Sequence, residues 1–383
     1  MKKLFMAAAA ASLLAVTGAS AQTKVGVLLP YSGTYAALGN EITLGFNMAL
    51  EEAGRTGEFE MVKEDTEAKP PVGLAKARKL VLEDEVDVIM GLVSSGVLGA
   101  VRDFVDGAEV PLIVANAGND EATGANCSPY ISRVSFSNRQ VSGPMGEWLA
   151  QQGVKTAYTL APDYAAGHQM VEAFTEKFTE GGGEVLGGEF TPFGQTSDFG
   201  PYLTNAKSSG AEALFVFYAG GEAISFVKQY GSFDLAKDLP LYGSGFVTSP
   251  LYVAAEGDAA VGVVAALHYV PTVDNETNNA FVATYKEAQG KAPSEFTIQG
   301  YDAAKALMAA IDSGASDRAS IAKALRGLKF DSPRGPVEID AATNNIVHDV
   351  YIYETVKEGD GLTQKILGTI KAVRDEPNGC ELD

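Results

Sequence analysis

A chain of 383 residues with 46% hydrophobic and 20% charged residues is built to fold, and it is longer than one hydrophobic core usually organises, so two lobes are expected. The formal charge of -20 argues against nucleic acid and anionic lipid as partners. Its plainest meaning is solubility.

The chain opens with Lys2 and Lys3, an apolar run over 4–16 and the small residues Ala19-Ser20-Ala21. This reads as an export signal, since the apolar run is shorter than the roughly 20 residues needed to span a bilayer. Cleavage is expected before Gln22. Because position 22 is not Cys, a lipid anchor has no attachment point there, and the expected location is free in a bacterial periplasm.

From there short apolar runs alternate with amphipathic stretches in a βα rhythm, which predicts parallel sheets flanked by helices, an α/β fold. Strands are expected at 24–29, 59–63, 86–90 and 112–115, with helices near 36–52, 72–82 and 97–106. After Ser137 the pattern restarts. Helices near 141–151, 167–178, 201–207 and 222–230 alternate with strands at 156–160, 184–190, 213–217 and 261–268. Helices then dominate from 278 to 325, and 335–372 reads as short strands. No Pro-, Ser- or Gly-rich spacer separates the two series, which points to several crossings between lobes.

Cys127 and Cys380 enter an oxidising compartment as an even pair, so a disulfide tying the C-terminal tail to an early loop is expected. His168, His268 and His348 lack ligand spacing, so no metal site is expected. No dinucleotide or phosphate-binding glycine motif occurs, so no cofactor is expected either. A hydrolase would need a Gly-x-Ser-x-Gly elbow that 91–96 lacks, and a triad through His168 and Asp163 has no nucleophile. An enzyme is therefore not expected.

In open α/β sheets ligands bind beyond the carboxyl ends of the strands. The loops there are Tyr31-Ser32-Gly33, Gly91 to Gly96, Asn116 to Asp120, Asp163 to Gly167, Tyr218 to Gly221 and Gly243 to Phe246. Singly, each could be ordinary helix capping. In order and spacing, with a late Tyr301-Asp302-Ala303-Ala304, they resemble the leucine/isoleucine/valine-type substrate-binding proteins of bacterial ABC importers over nearly the whole chain from Val25 to Tyr353.

The resemblance implies a two-lobed type I periplasmic binding protein with three crossovers, near Ser137, His268 and His348. Lobe 1 would be 22–137 plus 269–348, and lobe 2 would be 138–268 plus 349–383. It implies a carboxylate clamp on Ser94, Ser95, Ala117, Gly118 and Asn119, a pocket wall at Leu38, and Tyr164, Tyr218, Gly245 and Phe246 from the other lobe. Amino-acid-binding members place a carboxylate for the ligand's ammonium at the position that matches Gly245, and no acid occurs over 241–251. Losing one partner of a buried ion pair costs roughly 3 to 5 kcal/mol, so an amine-free acid is favoured unless Asp163, Glu222 or Asp120 substitutes. Tyr31, Tyr35, Tyr164, Tyr218 and Phe246 suit a flat body, as in the branch that takes benzoate-like and hydroxycinnamate-like acids. The implied partners are a small carboxylate and an inner-membrane permease. The alternatives are a branched-chain or other amino-acid-binding protein and a periplasmic ligand sensor. Arg133, Arg139 and Arg334 are expected to serve salt bridges and not the ligand.

Overall fold

The computed structural model describes residues 22–382; the export-signal reading of 1–21 lies outside them. The first unit runs β1 (Thr23–Leu29), α1 (Ala36–Glu52), β2 (Phe59–Asp65), α2 (Pro70–Leu82), β3 (Val88–Gly91), α3 (Ser95–Gly107), β4 (Leu112–Val114) and β5 (Ile131–Arg133). Its five strands form a parallel sheet in the order β2-β1-β3-β4-β5. The interiors of β1, β3, β4 and β5 are buried because helices cover both faces, whereas the edge strand β2 is half exposed.

The second unit continues with α4 (Asn138–Gln151), β6 (Thr156–Pro162), α5 (Ala165–Glu180), β7 (Glu184–Thr191), α6 (Gly200–Ser208) and β8 (Ala213–Val216). It goes on through α7 (Gly220–Ser232), β9 (Leu241–Ser244), α8 (Val253–Glu256) and β10 (Val264–Leu267). These five strands are parallel neighbours in the order β10-β9-β8-β6-β7.

The chain then returns to the first unit with α9 (Glu276–Gln289), α10 (Glu295–Asp312) and α11 (Arg318–Leu325). Helix α10 lies against α1 at very close range. A Cβ on Gly45 would stand 1.9 Å from the Thr297 carbonyl oxygen, and one on Gly300 1.9 Å from that of Ile42, so both positions must be glycine. Strands β11 (Lys329–Ser332), β12 (Gly335–Ile339), β13 (Ile346–Glu358) and β14 (Gly361–Val373) complete the second sheet in antiparallel fashion.

Several local expectations change. The stretch read as short strands contains a hairpin of two 13-residue strands, β13 and β14. The run at 261–268 contributes only four strand residues, after a turn of 3-10 helix at Gly257–Ala260. Strands β5 and β9 have no counterpart among the expected strands, because each is too short for alternation to register.

Cys127 and Cys380 are joined by a disulfide across a sequence separation of 253. This secures the tail beyond β14, where Asp375 accepts from Asn345 Nδ2 at 2.8 Å. Among the described residues no helix is long and apolar enough to cross a membrane, and no group of acidic, His or Cys side chains could hold a metal ion.

Three buried arginine and histidine groups brace the connections between the sheets. Arg334 donates from Nε to Asp302 Oδ2 at 2.9 Å, from Nη1 to the Ser135 carbonyl at 2.8 Å and from Nη2 to that of Val134. Arg133 holds the carbonyls of Ala117 and Asn119 at 3.1 and 2.9 Å. His268 receives the Gln299 amide at 3.2 Å, and burial holds its pKa well below the usual histidine range, so it is neutral.

Glu256, at the end of α8, is buried and neither carboxylate oxygen has a hydrogen-bond partner. Burial pushes its pKa up to about 9, against a partial pull from Lys228. A raised acid pKa means the folded state keeps a proton that the unfolded chain has released. The stability contribution is complete below the ordinary glutamate pKa and is lost as pH rises towards 9, by on the order of 1 kcal/mol per unit. Glu256→Gln is therefore expected to be more stable than the native chain at pH 8, with the gap shrinking towards pH 5. Urea melts at both pH values test this; an equal gap at the two would contradict it.

Candidate ligand-binding site

A small cleft cavity of about 20 Å³ lies between the two units, well below the size of an open small-molecule pocket as the lobes stand here. Its wall divides into two ends. Ser95, Asn116, Gly118 and Asn138 make a polar end, whereas Tyr35, Phe136, Tyr164, Phe217, Phe246 and Phe296 make an aromatic body, with Leu38, Val93 and Met170 between. No acidic or basic side chain lines it.

The polar end sits at two helix starts. Ser95 opens α3, and the side chain of the preceding Ser94 does not cap that helix, which leaves first-turn N–H groups for another acceptor. Asn138 opens α4; its Nδ2 donates to Ser95 Oγ at 3.2 Å and to Gln169 Oε1 at 2.7 Å. Gly118 packs so closely against this helix start that its carbonyl accepts the Asn138 N–H at 2.7 Å.

The aromatic end draws on both units. Tyr35 Oη and Tyr164 Oη are 3.0 Å apart across the cleft, and Tyr164 stacks on Phe193 at 4.2 Å. Phe246 meets Phe136 at 5.0 Å, Phe296 at 5.9 Å and, edge-on, Phe217 at 6.2 Å. Burial raises the pKa of both tyrosines well above the usual phenol range, so they are hydroxyl donors and not phenolates.

Of the sequence-derived site residues, Leu38, Ser95, Gly118, Tyr164 and Phe246 lie on this wall, and five others do not. Ser94 is the buried residue before α3 and takes the Leu98 N–H. Ala117 is fully buried behind the wall with its carbonyl on Arg133. Asn119 spends its amide on the loop, Nδ2 on the Ser95 carbonyl at 3.0 Å and Oδ1 on the Glu121 N–H at 2.9 Å. Tyr218 turns to the opposite side from Phe217, as alternation carries on in the extended chain just past β8; it packs on Phe226 and Phe199 and meets Thr191 Oγ1 at 3.3 Å.

Gly245 is the most consequential change. A Cβ there would stand 2.6 Å from Leu267 Cβ and 2.9 Å from Tyr353 Oη, pointing away from the cavity. The side chain that the turn after β9 sends into the cleft is Phe246. An aromatic ring, not a gap, therefore occupies the wall where an acid for an ammonium group was sought.

The candidate substitutes are elsewhere. Glu222 accepts the Gly194 N–H at 2.9 Å, and burial raises its pKa to about 7. Asp120 accepts the Arg139 N–H at 3.0 Å, and Asp163 pairs with the exposed His168 at 2.8 Å. Arg133 and Arg334 are buried braces, and Arg139 pairs with Glu176; none lines the cavity.

Phe136, Asn138, Phe217 and Phe296 are wall residues that the sequence does not mark, while Asn116 is marked only as the first residue of its loop. Phe217 was legible from alternation once Tyr218 faced the core. Phe136 and Asn138 flank Ser137, where the chain passes from one sheet to the other, so any residue there borders both units. Phe296 reaches the cleft only through the return of α10.

A family model described as periplasmic binding protein matches residues 22–360. Leu/Ile/Val-binding protein homolog 6 of Brucella melitensis is 32% identical over 373 residues, covering 94% of this chain and 95% of its own. A solute-binding protein of an ABC transporter from R. palustris, solved with benzoate, is 37% identical with a TM-score of 0.89, covering 94% of this chain and 100% of that one. Another, from Rhodopseudomonas palustris BisB5 and solved with 3,4-dihydroxybenzoic acid, is 34% identical with a TM-score of 0.88, covering 92% of this chain and 98% of that one.

Proposed function

This chain belongs to the periplasmic binding protein family, and on that premise we propose that it captures a small aromatic carboxylate between its lobes and delivers it to an inner-membrane permease. It is a substrate-binding protein of the ABC-transporter kind. The observation that carries the ligand class is the uncharged wall, with hydroxyl, amide and helix N–H groups at one end and six aromatic rings around the rest.

A carboxylate at the polar end is met by the Ser95 hydroxyl and the first-turn N–H groups of α3, which favour an anion without a counter-charge. The ring lies among Phe136, Phe217, Phe246 and Phe296, where edge and offset contacts add to area burial. An ammonium group would enter the same cleft without a carboxylate to pair with, at a cost of several kcal/mol. Because Ser95 at the start of α3 and Tyr164 before α5 belong to different units, ligand contacts to both exist only when the lobes are together. Binding thus shifts the population towards closure.

The proteins solved with benzoate and 3,4-dihydroxybenzoic acid support this reading, while the relatives named for Leu/Ile/Val support an amino-acid alternative. The export-signal reading, with cleavage before Gln22, places the mature protein free in the periplasm. Transport is favoured over sensing by the transporter proteins among its likenesses.

A thermal-shift panel on ligand-stripped protein tests the ligand class, since a ligand at 100 times its Kd adds about 2.7 kcal/mol to stability. Benzoate and 4-hydroxybenzoate are expected to raise Tm by several degrees, leucine and valine not at all. A rise with leucine and none with benzoate would sink the aromatic reading.

A further inference from the structure

The polar end of the cavity is oriented by a residue outside its wall. We propose that Gln169 is a positioning residue that sets the direction of a hydrogen-bond chain ending at Ser95, so that closure of the lobes turns the Ser95 hydroxyl proton towards an anionic ligand. This rests on the carboxylate reading above and adds to it the element that makes the pocket choose an anion.

The direction of the chain follows from one donor that has no choice. The backbone N–H of Asp120, in the loop beyond the five-stranded sheet, meets a side-chain atom of Gln169 at 3.1 Å. A backbone N–H can only donate, so that atom must be the amide oxygen. The same oxygen lies 2.7 Å from the Asn138 amide, which must therefore present its NH₂ group. The remaining Asn138 N–H then points at Ser95 Oγ, 3.2 Å away. Ser95 is an acceptor on that side, which leaves its own proton for the cavity.

If Asn138 were reversed, its oxygen would face Ser95, the Ser95 proton would turn back to meet it, and lone pairs would confront the ligand's carboxylate. Asn138 cannot hold its orientation through its other atom, because Oδ1 is buried without a partner. Gln169 is carried by α5, on the nine-stranded sheet, whereas Asp120 follows β4 of the other sheet. The contact that starts the chain is thus made between the two units, and it exists when they come together.

The test compares an acid with its neutral amide by titration calorimetry on the full mature chain. Gln169→Met keeps the length of the side chain and removes the acceptor. It is expected to weaken benzoate by about 10- to 100-fold, the range for a hydrogen bond to a charged group, while benzamide changes by less than about 3-fold. Gln169→Glu keeps an acceptor for both N–H groups and is expected to retain acid-over-amide selectivity. The proposal is overturned if Gln169→Met binds benzoate as the native chain does, if both ligands weaken together, or if Gln169→Glu loses selectivity as Met does. A native chain that ignores benzoate and takes leucine sinks the aromatic reading alone. The same comparison is then made between leucine and leucinamide, whose carboxyl end uses the same chain.

Discussion

Arg334→Leu is expected to destabilise the protein by roughly 3 to 5 kcal/mol, the usual result of removing one partner from a buried ion pair. Arg334 is 1% exposed and Asp302 fully buried, so the abandoned carboxylate has no solvent to turn to. Ser332 Oγ, 3.0 Å from Asp302 Oδ2, is the hydroxyl left to it, while Asp302 Oδ1 already lacks a partner. The loss is wider than the pair. The same guanidinium holds the carbonyls of Val134 and Ser135, immediately before the passage from β5 to α4, and these would also be left buried without donors. Chemical denaturation is the direct measure. The double variant Arg334→Leu with Asp302→Leu should recover part of the loss, because the orphaned charge is gone, but not all of it, because the two carbonyls remain. A single variant within 1 kcal/mol of the native chain would show that the connection does not depend on this cluster.

Gly118→Ala is expected to cost ligand affinity on the order of 10- to 100-fold, because overpacking a tight contact typically takes 1 to 3 kcal/mol. A Cβ at 118 would stand 2.3 Å from Asn138 Oδ1, 2.7 Å from Phe136 Cε2 and 2.9 Å from the Asn138 backbone nitrogen. All three are at the polar end or the adjoining ring of the cavity. The strain falls where the first sheet's loop meets the start of α4, so relief requires moving Asn138 or Phe136 away from the position they hold on the cavity wall. Affinity measured by calorimetry with the acid that the thermal panel identifies, beside the Tm of the ligand-free variant, separates the two effects. Unchanged affinity would mean that the loop yields at no cost to the site.

The stability prediction and the binding prediction meet in the same few residues. The passage at 134–138 carries the carbonyls that Arg334 holds, the ring of Phe136 and the amide of Asn138. A segment that joins two lobes is thus also part of the pocket floor. This is why single substitutions near the passage are expected to move both folding and ligand capture.

The α/β organisation and the family resemblance were both legible in the residues, because each depends on local pattern: the βα rhythm, and loop residues in a fixed order. Ser95, Gly118, Leu38, Tyr164 and Phe246 were legible as wall residues for the same reason, since each lies next to a strand end or a helix start. The tertiary structure alone decided which way neighbouring side chains point. Phe217 enters the cleft where Tyr218 is expected, and Gly245 turns away from it beside Phe246, because one residue of phase at a strand end reverses the face and nothing in a single loop records that phase. Phe296 and Gln169 reach the site from helices whose sequence positions say nothing of the cleft. They come into place because α10 returns to pack on α1 through Gly45 and Gly300, and because α5 meets the Asp120 loop across the interface. Contacts of that kind depend on the path of the whole chain, so local sequence specifies the elements and only their packing assembles the pocket.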